Sequence, residues 1–303
     1  MSKRNSSEKR IINVRIGDTD MQIMKILHKV PWMFDRHIAL LLGLPVKYIR
    51  RRLQTLAQGG LVKRMTIGAG DPAVNYITAH GMREVGLELR NASTPSFNTY
   101  LHDMGMIDTY VYLSLFRMKT GEPFVNFGSI ITERDFLSVT EMQPTGRYKS
   151  NGQPILKSMN DGIHEPDGYL FRDNVIMAIE FERVLKSKKS NSQMKDNVID
   201  LSKRFDKQIW VYGNNSVKKK LEEIRDEVPG IMLVNYDVIK EYLDYCLTQL
   251  PSDIPKRTGV PAVQHLGELR QPIALHKIPI KKAIRLESDI PEETSPKGLK
   301  LER

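Results

Sequence analysis

Acidic side chains at the two ends of a short segment are the residues of this chain best suited to chemistry. Pro166-Asp167-Gly168 puts a carboxylate beside a turn, and Glu180 and Glu182 close the apolar run 175–179. That run predicts a buried strand, on which residues two apart share a face, so both glutamates project from one strand end. With Asp167 they would form a group of three carboxylates, whose hard oxygen atoms suit Mg²⁺ or Mn²⁺.

A metal ion held by carboxylates beside a DNA-binding region indicates hydrolysis or transfer of phosphodiesters. The alternative is purely structural, because surface strands often end in glutamate and Pro-Asp-Gly is a common turn. Taken alone, the three acids favour the structural interpretation. The elements around them decide between the two.

The predicted fold class is α/β (α+β), with an N-terminal winged helix-turn-helix at residues 18–90. Asp18 caps its first helix and Pro31 ends it, and Gly59-Gly60 ends the third helix. Residues 1–17 are predicted to be a basic, flexible N-terminus. The remaining elements are helices at 35–42 and 46–58, strands at 61–64 and 75–78, and a wing tip at 68–72.

The third helix of this domain has the pattern of a DNA-reading helix. Its apolar stripe comprises Val46, Ile49, Leu53 and Leu56. Its opposite face and the wing carry the predicted DNA-binding residues, which are Lys47, Arg50, Arg51, Gln54, Lys63 and Arg64. The helical face would enter a major groove, and the two wing residues would meet phosphate. A solvated basic face on a core helix, or a winged helix that binds protein, is the alternative.

The distribution of charge supports the DNA interpretation. Residues 1–90 carry 16 Lys and Arg against 7 Asp and Glu, whereas residues 91–250 carry 20 against 22. A basic excess confined to the first domain is expected where that domain meets the phosphate backbone. The nearly neutral centre suits a catalytic body.

Other classes of protein are excluded by what the sequence lacks. The single cysteine, Cys246, rules out a disulfide framework and a cysteine-rich zinc site. No GxxxxGK[ST] loop, His-x-His pair or apolar stretch of roughly 20 residues is present. The polar N-terminus is not a signal peptide, so a cytoplasmic protein without membrane insertion is expected.

A second domain is predicted at residues 97–250, after the break at 91–96. A helix at 97–118 opens this domain. Beyond Glu182, helices at 191–205, 216–225 and 238–250 alternate with strands at 208–212 and 231–235. Such alternation predicts a mixed sheet. Residues 251–303 hold 7 of the 16 prolines and predict an extended or disordered tail, either solvated or docking on a partner.

This order of motifs resembles the replication-relaxation family of plasmid proteins, which includes the MOBC group of restriction-endonuclease-like relaxases. The resemblance covers about residues 18–240. It is carried by Tyr76–Gly81, Leu101–Asp103, Glu133-Arg134, Pro166–Gly168 and Glu180–Glu182. It implies a PD-(D/E)xK nuclease core in which Asp167 matches the PD aspartate and Glu180 the next acidic residue.

The chain departs from the usual nuclease pattern because Glu182 stands where a lysine is expected. The relaxase group is similar in having an acidic residue there. Lys195 on the following helix is the candidate to take over the lysine's part in catalysis, with Lys186 as a weaker one. Both are otherwise ordinary surface lysines. His164 is a further candidate for proton transfer or minor ligation, or else a structural histidine.

The resemblance implies a plasmid mobilisation relaxase. Its winged helix would recognise duplex DNA at the transfer origin, and Asp167, Glu180 and Glu182 would use Mg²⁺ or Mn²⁺ to nick one strand. A mobilisation coupling protein or a type IV secretion component is the expected protein partner, reached through the tail. The alternative is a non-catalytic DNA-binding regulator or plasmid replication accessory protein whose nuclease domain has decayed.

Overall fold

The computed structural model describes residues 14–67, 72–89, 99–118, 121–132, 142–148, 154–158, 166–173, 175–184 and 188–253. Its N-terminal part combines four helices with a three-stranded sheet. The helices are α1 (Asp18–Lys29), α2 (Asp35–Leu42), α3 (Val46–Gln58) and α4 (Ala79–Glu84). The strands are β1 (Met33–Phe34), β2 (Val62–Met65) and β3 (Val74–Ile77). β3 lies between β1 and β2 and is antiparallel to both.

Local sequence explains where these helices begin and end. Gly43 follows α2 with φ of 61°, a left-handed conformation that glycine adopts without strain. α3 then begins directly after Pro45, which cannot donate a hydrogen bond and suits a helix start. The hydroxyl oxygen of Thr78 accepts a hydrogen bond from the N–H of Gly81 at 3.0 Å and so caps α4.

The C-terminal part is built on a mixed five-stranded sheet. Its strands are β4 (Ile130–Thr132), β7 (Gly168–Arg172), β8 (Val175–Glu182), β9 (Lys207–Tyr212) and β10 (Ile231–Asn235). Their order across the sheet is β10-β9-β8-β7-β4. β4, β7 and β8 are antiparallel neighbours, whereas β8, β9 and β10 run parallel. A separate hairpin pairs β5 (Met142–Tyr148) with β6 (Pro154–Ser158).

Helices cover both faces of this sheet. They are α5 (Tyr100–Leu115), α6 (Lys188–Ser202), α7 (Asn215–Arg225) and α8 (Tyr236–Thr248). Residues of β8 alternate between the two faces: Ile179 and Phe181 pack in the core that holds α5 and α8, and Ala178 packs in the core that holds α6 and α7. The burial of β8 on both faces explains why its sequence is apolar almost throughout.

The core on the α5 side does not stop at this sheet. One continuous cluster of buried residues contains Ile23, Leu27 and Leu53 of the N-terminal helices together with Val111 of α5 and Phe181 of β8. The two predicted domains are therefore packed against each other through a common apolar core.

The mixed α/β architecture predicted from the sequence is confirmed, and α2, α3 and β10 have the predicted bounds. α8 begins two residues earlier than predicted because the side chain of Asn235 caps it, accepting a hydrogen bond from the N–H of Asp237 at 2.8 Å. α6 likewise lies three residues earlier, at Lys188–Ser202. The strands β1 and β4–β7 and the short helix α4 were not predicted. Several predicted features lie outside the described residues: residues 1–13 of the basic N-terminus, residues 68–71 of the predicted wing tip, Glu133-Arg134, His164, Lys186 and the tail beyond Asp253.

Candidate functional site

The outward face of α3 is a cluster of polar and basic side chains. Ile49, Leu53 and Leu56 are fully buried under the helix. The side chains on the opposite face are exposed, and they are Lys47, Arg50, Arg51 and Gln54. The structure thus brings four of the predicted DNA-binding residues together on one accessible surface, which we call the α3 face.

Asp35, the first residue of α2, fixes the base of the α3 face. Its carboxylate accepts two hydrogen bonds from Arg64 of β2, at 2.9 and 3.0 Å, and one from Nε of Arg50 at 3.2 Å. The side chain of Arg64 is only 16% exposed, whereas that of Arg50 is 59% exposed. Arg64 therefore acts mainly as a brace between β2 and α2, whereas most of the Arg50 side chain remains exposed to solvent. Lys63 is exposed above the ring of Tyr76.

A second buried aspartate holds α3 from the other side. Asp20 of α1 is 2% exposed and accepts hydrogen bonds from Nε and Nη2 of Arg52. This interaction raises the pKa of the Arg52 guanidinium. Sequence reasoning did not single out Arg52, although its place three residues after buried Ile49 indicates a side chain directed toward the protein rather than toward a ligand.

The sheet brings the predicted acidic residues to one edge. β7 and β8 are antiparallel with Gly168 opposite Ile179, so the start of β7 lies beside the end of β8. Oδ2 of Asp167 accepts a hydrogen bond from the backbone N–H of Phe181 at 2.9 Å. Because Phe181 stands between Glu180 and Glu182, the aspartate predicted at the turn does reach the Glu-Phe-Glu segment. We call this place the sheet edge.

The side chains at the sheet edge are divided between two faces. Phe181 points toward α5, and since neighbours on a strand alternate, Glu180 and Glu182 point toward α6 and α7. Glu180 is 6% exposed, and Glu182 is half-buried. Among the described residues, no three His, Cys, Asp or Glu side chains are grouped so that they could hold a metal ion.

The carboxylate of Asp167 pairs with the imidazole of His102 on α5. Nε2 of His102 lies 3.2 Å from Oδ2 of Asp167, and Nδ1 lies 3.6 Å from Asp103. Burial opposes protonation of the imidazole, but the hydrogen bonds and charges of Asp103 and Asp167 outweigh it and raise the pKa of His102 to about 10. The sequence marked His102 only as part of a family motif. Its role beside Asp167 follows from the fold.

Two further contacts fix the position of Asp167. Tyr110, two turns along α5 from His102, donates a hydrogen bond from its hydroxyl to the backbone oxygen of Asp167 at 2.7 Å. The ring of Phe181 packs edge-on against that of His102, with centroids 5.7 Å apart. Gly105 makes this packing possible, because a Cβ atom there would overlap the Phe181 ring.

Lys195 is not directed to the sheet edge. Its ammonium group pairs with Glu227, which lies in the segment between α7 and β10. This segment precedes β10, whereas Glu180 and Glu182 lie at the end of the parallel strand β8, so Lys195 points to the opposite end of the strands. The structure therefore does not place Lys195 where the nuclease lysine would be needed.

A buried carboxylate joins the two parts of the chain close to both candidate surfaces. Asp108 of α5 is 3% exposed and accepts hydrogen bonds from Nε2 of His37 at 2.8 Å and from the hydroxyl of Tyr236 at 2.7 Å. Burial alone would raise the pKa of Asp108, but these partners and the charge of Arg36 lower it. An ionised carboxylate is thus held inside the core between α2 and α8.

Comparison with protein-family models, with curated proteins and with solved structures found no match to this chain. None of the helices in the part of the chain that the structure describes combines the length and the apolar character needed to cross a bilayer.

Proposed function

We propose that this protein binds duplex DNA and that residues 18–89 form a winged helix whose recognition helix is α3. The observation that carries the proposal is the α3 face, on which Lys47, Arg50, Arg51 and Gln54 are exposed together while the opposite side of the helix is buried. Arginine and glutamine are the side chains that form paired hydrogen bonds with guanine and adenine in the major groove. The element order helix, strand, helix, helix, strand, strand, with β1 and β2 both pairing with β3, supports the winged-helix assignment.

Selection from a random-sequence duplex library tests whether this surface reads sequence. The full-length protein should enrich a common motif, and the Arg51→Ala variant should enrich it less sharply while still retaining duplex DNA. A wild-type protein that retains duplexes without any enrichment would show that α3 contacts phosphates only. A wild-type protein that retains no duplex would contradict the proposal.

The sheet edge favours a more specific function, that of a plasmid mobilisation relaxase with a restriction-endonuclease-like body. The supporting observation is the hydrogen bond from the N–H of Phe181 to Asp167, which joins the Pro-Asp-Gly turn to the Glu180–Glu182 strand end. A body of this class near a bound duplex would nick one strand at the transfer origin.

Carboxylate oxygens have the donor chemistry that Mg²⁺ and Mn²⁺ prefer. When bound, such an ion would polarise the scissile phosphate and lower the pKa of an attacking hydroxyl. The described side chains do not gather around a common point, however, since Asp167 is engaged by His102 and the two glutamates point to the other face. No catalytic step through a metal ion follows from this arrangement.

Incubation with a supercoiled plasmid that carries the transfer origin tests the relaxase proposal. In Mn²⁺ the wild-type protein should convert supercoiled plasmid to open circles, and it should not do so in EDTA. Asp167→Asn should abolish the conversion, while Asp173→Asn, at the other end of the same β7–β8 hairpin, should not. Open circles formed equally by wild type and Asp167→Asn would contradict the assignment of this site.

A non-catalytic DNA-binding regulator or replication accessory protein is the second candidate. The observations that favour it are the pairing of Asp167 with His102 and the glutamate at the position of the nuclease lysine. Calorimetric titration with Mn²⁺ distinguishes the two candidates. A relaxase should bind Mn²⁺, and Asp167→Asn should weaken that binding. With a decayed site, the wild-type protein and Asp167→Asn should give the same heat.

A further inference from the structure

The first turn of α2 links the α3 face to the sheet edge. Asp35 holds Arg50 of the α3 face, and His37, two residues later, donates a hydrogen bond to the buried carboxylate of Asp108. Tyr236 shares that carboxylate, and its ring packs against Phe181 with centroids 5.0 Å apart. A chain of direct contacts therefore runs from the recognition helix to the hydrogen-bond partner of Asp167.

Two arginines lie along this chain of contacts with their side chains open to solvent. Arg36 is 44% exposed, and one of its terminal nitrogens lies 3.8 Å from Oδ1 of Asp108. Arg183 directly follows Glu182 at the end of β8 and is exposed. Strand alternation turns it to the same face as Phe181, which is the face of α5 and α8.

Contacts on both sides connect Tyr236 to the two arginines: its hydroxyl shares the Asp108 carboxylate with Arg36, and its ring packs against Phe181, two residues before Arg183. Burial and the charge of Asp108 raise the pKa of Tyr236, and the charges of Arg36 and Arg183 both oppose that rise. Both positive charges therefore act on a single side chain. One comes from the N-terminal part of the chain and the other from the sheet edge.

We propose that Arg36 and Arg183 form a phosphate-binding track that carries one DNA duplex from the α3 face to the sheet edge. The inference rests on the proposed binding of DNA by α3. It adds that the same duplex continues from the α3 face to the sheet edge. Guanidinium groups bind phosphate oxygens in a paired geometry. Phosphates recur along each strand about every 3.4 Å of helix axis, so two arginines beside one tyrosine can meet the same strand.

The salt dependence of DNA binding tests whether Arg36 and Arg183 contact phosphates. The probes are mixed-sequence duplexes of about 10 and about 30 base pairs, roughly one and three helical turns. Fluorescence anisotropy of the full-length protein gives log Kobs against log salt concentration, with a slope of about −0.9 for each phosphate contact. The variants are Arg36→Gln, Arg183→Gln and their combination. Lys219→Gln is the matched control, because Lys219 is exposed on α7, across the sheet.

On the longer duplex, each single substitution should reduce the steepness of the slope by about 0.9 and the combination by about 1.8. The Lys219→Gln control should behave like wild type. Arg183→Lys keeps the positive charge and should therefore keep the wild-type slope, whereas a slope change caused by altered folding would not depend on the charge at this position. The shorter duplex offers fewer phosphates beyond the α3 face, so the substitutions should change its slope less than that of the longer duplex.

Two failures are distinguishable. If Arg183→Gln and Arg36→Gln match wild type on the longer duplex while Lys47→Gln/Arg51→Gln still reduces the slope, the track is wrong and DNA binding by α3 stands. If Lys47→Gln/Arg51→Gln also leaves the slope unchanged, the proposed function fails, and the track fails with it.

Discussion

Oδ2 of Asp167 and the backbone N–H of Phe181 are joined by a hydrogen bond of 2.9 Å. This bond fastens the turn before β7 to the end of β8, so that the Pro-Asp-Gly and Glu-Phe-Glu segments occupy one place on the sheet edge. It also turns the Asp167 carboxylate toward His102 of α5 rather than toward Glu180 and Glu182. The sheet edge therefore depends on α5 as much as on its own strands.

The two arginines in the middle of α3 should behave in opposite ways. Arg51→Ala should weaken binding to a preferred duplex by about 1–3 kcal/mol if the guanidinium makes a paired base contact, and it should leave folding stability unchanged. Arg52→Ala leaves the buried Asp20 carboxylate without its guanidinium and should cost about 3 kcal/mol of stability. Anisotropy and urea unfolding of both variants separate the two roles. Loss of stability in Arg51→Ala would show that its side chain belongs to the fold.

Removing single charges at the sheet edge should abolish nicking without affecting duplex binding. The amide substitutions Asp167→Asn, Glu180→Gln and Glu182→Gln preserve shape, and an asparagine oxygen can still accept the hydrogen bond from Phe181. Gel analysis of plasmid conversion and anisotropy with a duplex measure the two properties. Full nicking by all three variants would rule out the sheet edge as the site of chemistry.

Gly105→Ala tests the packing that supports Asp167. The added methyl group would overlap the Phe181 ring, and forced overpacking of a core costs about 1–3 kcal/mol. Alanine's better helix propensity, worth about 1 kcal/mol, offsets part of this cost. We expect a lower unfolding midpoint in urea together with reduced nicking and normal duplex binding. A variant as stable as wild type would mean that Phe181 moves aside freely.

His37 should make the protein less stable in mildly acidic solution. Burial lowers the pKa of His37 below its ordinary value of 6.5, although Asp108 opposes this shift. The unfolded chain therefore takes up a proton first as the pH falls below 6.5, and the stability present above that pH is progressively lost.

Urea unfolding between about pH 8 and pH 5 measures this dependence, with His37→Gln as the comparison. Glutamine can donate to Asp108 but does not titrate, so the loss of stability below the ordinary histidine pKa should be smaller in the variant. Equal losses in both proteins would show that other groups cause the acid sensitivity.

Much of the N-terminal part was predictable because its signals are local. The apolar stripe of α3, the Gly43–Pro45 turn before it and Gly59 after it set its bounds, and the same stripe leaves Lys47 and Arg51 on the outside. Arg64 was expected at phosphate and instead braces Asp35. Arg64 and Asp35 are 29 residues apart in sequence, and only the packing of β2 against α2 brings them together.

The sheet edge was predictable only in part. The apolar run before Glu180 predicted β8, but the short strands β4 and β7 have too few residues to show a period. His102 and Asp108 lie on a helix that is buried nearly all round, where no amphipathic pattern marks a functional face. Their partners, Asp167, His37 and Tyr236, come from three distant segments that only the tertiary fold brings together.

The binding of duplex DNA by the α3 face is the central claim, and a comparison of two double variants tests it most directly. Lys47→Ala/Arg51→Ala removes two charges from the α3 face, and Lys218→Ala/Lys219→Ala removes the same charge from α7. Anisotropy with a mixed-sequence duplex at several salt concentrations should show weaker binding and a slope reduced by up to about 1.8 for the first variant only. Equal affinity and equal slope in the two variants would contradict the account.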